Sequence, residues 1–384
     1  MAKLDYPIID ADSHLTENLE RVCELIDRRH RQYGPRMLDQ GPSELFYLGG
    51  AYLPQPPGLS WGETCYPGAY REKPRRPRKY RESHIVGFDP KARLEMMDEH
   101  GVHGTVIFQS MGLFAGAIPN PEISAAVCRG FNRYIAEYCS ADRARLWGMA
   151  TVPLADPSRA AEEARYAVKE LGLIGVFAPS GVHGPQPLYH PYYTPFFDAI
   201  AELGVPFGTH TGAAIMYKGL GFERFPGLFP PFHLCTHASE AQISLMGMLA
   251  YGVLDSRPGL KIGFFEAGAG WAPFVIDKMH ERFEDMGWMM PDLKTDPRET
   301  FAERCLVTVE TDEALLPATL DYFGGRGVAW SSDLPHFDAE DDGRPDALIA
   351  QDRISGAYKR RLLFENAVEF FGLKIGKAVR AAAE

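Results

Sequence analysis

Four side chains of the kinds that bind metal ions stand at the ends of apolar runs in this sequence: Asp12, His14, His210 and Asp333. Asp12 and His14 lie two residues apart, so in an extended chain their side chains point to the same side. Two imidazoles and two carboxylates suit zinc, and they also suit manganese because the share of oxygen donors is high. The four residues therefore predict one divalent metal ion, with zinc expected and manganese as the alternative.

Each of these residues also has an ordinary explanation. The Asp-x-His pattern of Asp12 and His14 arises by chance in many proteins, and a lone histidine such as His210 is more often structural. Asp333 follows a buried run immediately and could cap a helix instead. What favours metal binding is their joint placement, which depends on the elements that carry them.

Eight short apolar runs predict strands, and amphipathic stretches follow most of them. Several runs are nearly continuous, as expected for parallel strands that are buried on both faces. The predicted strands are residues 6–12, 104–109, 146–152, 174–178, 206–211, 261–266, 306–310 and 327–332. The predicted helices are residues 90–100, 121–140, 158–171, 194–203, 239–254, 271–283 and 313–323.

This alternation predicts an α/β fold of the (β/α)8 TIM-barrel type, formed by residues 1–384 as one domain. The alternative is an open doubly wound sheet, but the sequence has no GxGxxG or phosphate-binding loop to support it. In a barrel, the active site lies at the C-terminal ends of the strands. The four candidate ligands end the first, fifth and eighth predicted strands, which is where a shared site would form.

Residues 28–89 do not fit the alternation and are rich in Pro, Gly, Tyr and Arg. We interpret them as a long insertion between the first strand and the first helix, lying over the barrel mouth as a lid. Within it, residues 71–81 carry seven basic side chains. These form either a solvated loop or subunit contact, or a source of an arginine for an anionic substrate. One or two extra helices, including residues 359–371, are predicted at the C-terminal end.

Composition narrows the partners and the compartment. The net charge of −11 argues against nucleic acid, because phosphate binding needs a cationic surface. No run is long enough for a signal peptide or a membrane span, so we expect a cytoplasmic protein that does not bind membranes. The six cysteines contain no CxxC pair, and a domain of this size does not need disulfides, so free thiols are expected.

Four segments together resemble the amidohydrolase superfamily, and most closely the amidohydrolase-related branch that includes aminocarboxymuconate-semialdehyde decarboxylase. They are residues 9–14 (IDADSH), Thr209-His210, residues 265–271 (FEAGAGW) and residues 332–336 (SDLPH). The resemblance implies a single divalent metal in most decarboxylating members, and it implies a homodimer. His210 and Asp333 match the family's ligand positions. The first-strand pair is commonly HxH or ExH in the family, so Asp12 is a departure.

A second departure concerns the acid or base. Members of the family often use a histidine after the sixth strand, and here Glu266 occupies that position. Glu266 can move protons if burial raises its pKa, or it can simply bond a backbone group or a ligand histidine. His237, in the segment CTHASE before residues 241–254, is a candidate replacement. His336 near the mouth could merely cap the last loop, and His233 stays undecided.

The resemblance implies non-oxidative decarboxylation of an aromatic or unsaturated carboxylic acid, with His237 or Glu266 as the acid and Asp333 as a proton relay. The alternative is a hydrolase of a C–N or C–C bond, or a hydratase, in which Asp333 would be the general base for a metal-activated water. A barrel that only binds a ligand is a third reading, and the fold cannot decide among them. Gln109 could also reach the pocket. Aromatic loop residues suggest an apolar or aromatic small-molecule ligand: Phe114, Tyr189, Tyr217, Phe222, Phe225 and Phe232.

Overall fold

The predicted apolar runs form a sheet of eight parallel strands in the computed structural model, which describes residues 4–53, 55–212, 219–339 and 343–375. The order within this sheet is β1-β5-β6-β7-β8-β9-β10-β11. Barrel strands that follow one another along the chain therefore lie side by side in the sheet. The strands are β1 (Ile8–Leu15), β2 (Arg36–Asp39), β3 (Glu44–Leu48), β4 (Ala51–Leu53), β5 (Val102–Gln109), β6 (Leu146–Thr151), β7 (Gly175–Pro179), β8 (Phe207–His210), β9 (Ile262–Phe265), β10 (Cys305–Val309) and β11 (Val328–Trp330).

Helices follow the barrel strands, and the expected (β/α)8 architecture is confirmed. The helices are α1 (Leu19–Leu25), α2 (Trp61–Thr64), α3 (Ile85–Phe88), α4 (Pro90–His100), α5 (Pro121–Cys139), α6 (Pro157–Lys169), α7 (Thr194–Leu203), α8 (Phe229–Leu234), α9 (Glu240–Ala250), α10 (Ala272–Met286), α11 (Pro297–Arg304), α12 (Leu316–Phe323), α13 (Asp346–Ala350), α14 (Gly356–Arg360) and α15 (Asn366–Phe371). The extra C-terminal helices are therefore present, and a π-helical turn, Arg361–Glu365, joins α14 to α15.

Local sequence explains why several of these helices begin where they do. Asp89, Asn120 and Asp156 each precede a proline, and each side chain accepts a hydrogen bond from a backbone N–H of the first turn. Proline suits the first helical position because its fixed φ is helical and its missing N–H would be unpaired there. The same aspartate-proline pattern begins α11, which we did not predict from the sequence.

The barrel closes where the first strand meets the chain just beyond the last one. The N–H of Asp333 donates to the carbonyl of Asp12 at 3.0 Å, and the N–H of His14 donates to the carbonyl of Leu334 at 2.6 Å. Asp10 strengthens this seam by accepting hydrogen bonds from the N–H and the hydroxyl of Ser332, at 2.9 and 2.6 Å. The predicted first strand was too short at its C-terminal end, because β1 continues through His14 to Leu15.

The insertion has regular structure that the sequence did not predict. Strands β2, β3 and β4 form an antiparallel sheet, and α2 and α3 follow it. Trp61 of α2 is 2% exposed and packs edge-on against Phe46 and Phe114, which ties the insertion to the barrel. The free-thiol prediction is confirmed for all six cysteines. Within the described residues, no helix is both long enough and apolar enough to cross a membrane.

The basic stretch of the insertion is engaged in ion pairs within the insertion. Arg75 bonds Glu63, Arg78 bonds Glu72, and Lys79 reaches Asp39. Arg78 also lies over the ring of Tyr66 with 3.8 Å between the guanidinium carbon and the ring centre. These contacts favour the first interpretation of the stretch, a structural loop. They argue against the second, in which it supplies an arginine to the substrate.

Glu17, just after β1, fastens the loop that follows β5. Its carboxylate accepts hydrogen bonds from the N–H groups of Met111 and Gly112, both at 3.0 Å, and lies 3.3 Å from the hydroxyl of Tyr80. The side chain is fully buried. Burial raises the pKa of Glu17 to about 7, although these hydrogen bonds partly offset the effect.

We expect stability to depend on the protonation of Glu17. In the folded protein the pKa of Glu17 is about 7, above the ordinary value of 4.5. The stability gained from protonated Glu17 is therefore fully present below pH 4.5 and is lost as the pH rises through 7. The free energy of unfolding in urea should therefore fall more steeply from pH 5 to pH 8.5 in the wild type than in Glu17→Gln. The difference should be on the order of 3 kcal/mol. The exposed neighbour Glu20→Gln should keep the wild-type slope, and equal slopes for all three proteins would contradict the argument.

Candidate metal centre and active site

The ends of β1 and β8 bring Asp12, His14 and His210 together inside the barrel, where all three are buried. The Nε2 atoms of His14 and His210 face each other at 3.0 Å. The Oδ1 atom of Asp12 lies 3.4 Å from His210 Nε2 and 3.7 Å from His14 Nε2. Residues two apart on β1 therefore do turn to one side, as the spacing predicted.

Asp333 approaches the same centre from the chain beyond β11. Its Oδ1 atom lies 3.5 Å from His14 Nε2 and 2.9 Å from Nδ1 of His336. Glu266, beyond β9, lies 3.3 Å from the same His336 nitrogen and 3.4 Å from Nδ1 of His210. The predicted ligands thus fall into two sets that share His14: Asp12 and His210 lie with it in one, and Asp333 lies with it in the other. His336, which we had considered only as a cap, belongs to the second set.

The backbone turns both strand-end carboxylates inward at a conformational cost. Among the described residues other than glycine, Glu266 and Asp333 alone have positive φ, at 56° and 51°. This left-handed conformation is uncommon for residues with a Cβ, and such strain concentrates at functional sites. Because each carboxylate ends a barrel strand, the turn directs it towards the barrel axis. No pattern in the sequence signals this conformation.

The arrangement of Asp12, His14 and His210 fits a metal ion, and Asp333 adjoins this set through His14. Two facing imidazole nitrogens at 3.0 Å repel unless a proton or a cation lies between them. Ligand atoms that share a zinc ion at about 2.1 Å stand roughly 3.4 Å apart in a tetrahedron, and the separations here are close to that. His14, Glu266, Asp333 and His336 form a second, overlapping set of potential ligand atoms, all within 4.8 Å of one another.

Burial makes charge expensive throughout this centre. It raises the pKa of Asp12, and it lowers the pKa of His14 well below its usual value, with His336 and His210 lowering it further. Burial also lowers the pKa of His210, but Asp12, Glu266 and the carbonyl of Thr211 together outweigh this effect, so the pKa of His210 is raised. Burial raises the pKa of Asp333 well above its usual value. Buried carboxylates and imidazoles of this kind need a compensating cation.

His237 stands beside this centre, on the connection between β8 and α9, just before the helix as predicted. It lies in a π-helical turn, Cys235–Ser239, that leads directly into α9. Its Nδ1 atom lies 2.8 Å from the carbonyl of His233, and its Nε2 atom lies 3.9 Å from Oε1 of Glu266. The rings of His233 and His237 stack with centres 3.6 Å apart. His237 is thus held to Glu266 and away from the facing nitrogens of the metal centre.

A cavity opens above these residues, with His237, Glu266 and His336 on its floor. Several loops contribute aromatic and aliphatic side chains to its walls, and the insertion is among them. The apolar wall residues are Pro56, Leu59, Trp61, Met111, Leu113, Phe114, Phe229, Phe232 and Phe337.

The aromatic predictions were right for Phe114 and Phe232 and wrong for others. Tyr189 packs against Tyr251 and the α9 backbone instead, and Phe222 is 41% exposed although its ring contacts Phe232. Phe225 does not line the cavity, and Tyr217 lies outside the described residues. Gln109, which we thought able to reach the pocket, is buried and donates to Asn132 and the carbonyl of Met149.

Solved structures with this architecture include an amidohydrolase from Mycobacterium avium subsp. paratuberculosis K-10. The match covers 96% of this chain and 100% of the other chain, with a TM-score of 0.80 and 23% identity. A dihydroxybenzoic acid decarboxylase from Polaromonas sp. JS666, solved with manganese and the inhibitor 2-nitroresorcinol, has a TM-score of 0.63 and 24% identity. That match covers 78% of this chain and 90% of the other.

Curated relatives are decarboxylases. The gamma-resorcylate decarboxylase of Rhodococcus jostii (strain RHA1) is 34% identical over 256 residues, which is 63% of this chain and 76% of the relative. The 2-amino-3-carboxymuconate-6-semialdehyde decarboxylase of Dictyostelium discoideum is 26% identical over 304 residues, covering 78% and 80% of the two chains. The amidohydrolase family model matches residues 9–373. The chain therefore belongs to the amidohydrolase family, as the motifs of its strand ends predicted.

Proposed function

We propose that this protein is a metal-dependent, non-oxidative decarboxylase of an aromatic carboxylic acid. The observation that carries the proposal is the position of the buried histidine and carboxylate centre, directly beneath an aromatic-walled cavity. The cavity suits a planar aromatic ring, and the centre suits a carboxylate with an adjacent oxygen. Decarboxylases of the gamma-resorcylate and carboxymuconate-semialdehyde types among the relatives support the same reaction.

Asp12, His14, His210 and Asp333 would hold the metal. Their two nitrogens and two carboxylates suit zinc, which we expect, and they also suit manganese, which the Polaromonas enzyme holds. When bound, the ion would position the substrate carboxylate and a neighbouring hydroxyl, and withdraw electrons from the bond to be broken. The short Asp12 side chain reaches the centre because β1 continues past it to Leu15.

The protein's own groups would supply the proton. Decarboxylation breaks the bond between the ring and the carboxyl carbon, releases carbon dioxide and replaces it with a proton on the ring carbon. His237 and Glu266, both on the cavity floor, are the candidate acids, and Asp333 is close enough to His336 to relay a proton. Burial raises the pKa of Glu266, but His237 and His336 hold it well below its usual value, which favours His237 as the acid. The aromatic walls would exclude water, which strengthens these electrostatic effects. The homodimer and the cytoplasmic location remain predictions from the sequence.

Removal of one imidazole ligand should remove the metal. We expect the purified wild type to hold close to one zinc or manganese ion per chain, and His210→Ala to lose both the ion and the activity. The metal content is measured by elemental mass spectrometry after gentle purification. His280→Ala is the matched control, because His280 pairs with Asp296 on the outside of the barrel. A metal-free wild type would refute the proposed centre.

Carbon dioxide release distinguishes the proposed reaction from hydrolysis or hydration. We expect the metal-loaded protein to convert at least one hydroxybenzoate, such as 2,6-dihydroxybenzoate, to the corresponding phenol with one equivalent of carbon dioxide. Gas capture and mass spectrometry of the product provide the measurement. A product that has gained the mass of water would exclude decarboxylation and support the hydrolase or hydratase alternative.

His237 should act on the reaction without holding the metal. We expect His237→Ala to lower kcat by roughly 10²- to 10⁴-fold, the usual contribution of a general acid, while the metal content stays at the wild-type level. Both quantities are measured on the same preparation, with His280→Ala as the control. If His237→Ala also empties the centre, His237 belongs to the ligand set and our assignment is wrong.

A further inference from the structure

The cavity separates polar from apolar surface more sharply than binding of a small hydroxybenzoate requires. Its ionisable side chains, His237, Glu266 and His336, lie on the floor beside the proposed metal ligands, with His233 next to them. The wall side chains with hydroxyl groups already have partners inside the protein. Thr64 donates to the carbonyl of Trp61 at 2.7 Å, and Thr236 donates to the carbonyl of His233 at 3.0 Å.

The upper walls hold no positive charge among the residues that the structure describes. Neither lysine nor arginine lines the cavity there. In the nearby basic stretch of the insertion, Arg75 already bonds Glu63, and Arg78 bonds Glu72. A second carboxylate on the substrate, directed away from the floor, would therefore lose its water without gaining a partner. Such burial is strongly unfavourable.

The walls are also firmly held in place. Trp61 contacts Phe46 and Phe114 edge-on, at ring distances of 5.5 and 6.3 Å. On another wall, Phe337 contacts Phe229 at 6.0 Å. Because these rings support one another, they form a preorganised apolar surface and need little ordering when a ligand binds.

We propose that the substrate is an aromatic acid with a single carboxylate and an apolar substituent on the opposite side of the ring, such as an alkyl or aryl group. This inference rests on the proposed function and specifies its substrate class. The carboxylate and its neighbouring hydroxyl would face the floor, and the substituent would fill the space between Leu59, Trp61, Phe114 and Phe229. The lining here is mostly apolar, so such a substituent would bury its surface against these side chains.

A homologous series of substrates tests this inference. The probes are 2,6-dihydroxybenzoate and its 4-methyl, 4-ethyl, 4-propyl and 4-butyl derivatives, with a 4-(3-carboxypropyl) derivative as the charged counterpart. Each methylene buried in an apolar site contributes about 0.8 kcal/mol, or roughly fourfold. We expect kcat/KM of the metal-loaded protein to rise at least tenfold from the parent to the butyl acid. For the charged derivative, it should fall below that of the parent.

A charge placed in the wall should reverse this preference. In Phe229→Lys, kcat/KM for the butyl acid should drop at least tenfold, and kcat/KM for the charged derivative should rise. A general folding defect would lower both, so the reversal reports on the wall itself. Leu228→Lys is the matched control. Leu228 is the neighbour of Phe229, but its side chain is 59% exposed and does not line the cavity. It should keep the wild-type order.

Calorimetric Kd values for the same acids separate this inference from the proposed reaction. If no acid releases carbon dioxide but Kd still tightens along the alkyl series, the proposed reaction fails and the inference about the ligand stands. If carbon dioxide is released with equal kcat/KM from all the acids, the reaction stands and the inference is overturned. Absence of binding by the whole series, or preference for the charged derivative, would also overturn it.

Discussion

The site depends on the seam where the barrel closes. Two main-chain hydrogen bonds join β1 to the chain beyond β11, and they place Asp12 and His14 beside Asp333 although more than 300 residues separate them. The buried guanidinium of Arg93 strengthens the seam by donating to the carbonyls of both His14 and Leu334. These backbone bonds therefore fix the segments that carry Asp12, His14 and Asp333, which favours a preorganised centre.

This closure concentrates charge where the protein can least solvate it. Carboxylates and imidazoles meet in a fully buried space, and two of the carboxylates, on Glu266 and Asp333, are held there by left-handed backbone. Each feature costs free energy of folding, and each is more understandable in a site that binds a cation and an anionic substrate than in a purely structural core.

Sequence was informative wherever local rules decide structure. Helices α4 and α7 begin and end at the predicted residues, because each has a proline in its first turn and a glycine directly after its last residue. Apolar runs located the strands, and hence the strand ends at which the candidate ligands stand. The sequence could not identify His336 as a member of the centre, and it could not show that Glu17 holds the loop after β5 through hydrogen bonds. Their roles arise from contacts across the barrel, between segments that no local pattern relates.

The same division separates what the family has in common from what is specific to this chain. The floor of the cavity is built on strand ends, whose positions follow from the barrel and recur wherever the barrel does. The walls come from loops and from the insertion, where the sequence has no periodicity to guide prediction and where insertions are tolerated. Floor chemistry of this kind is compatible with decarboxylation, hydrolysis or hydration. The walls, through the shape and polarity that they present to the far side of the ring, therefore select the molecule on which that chemistry acts.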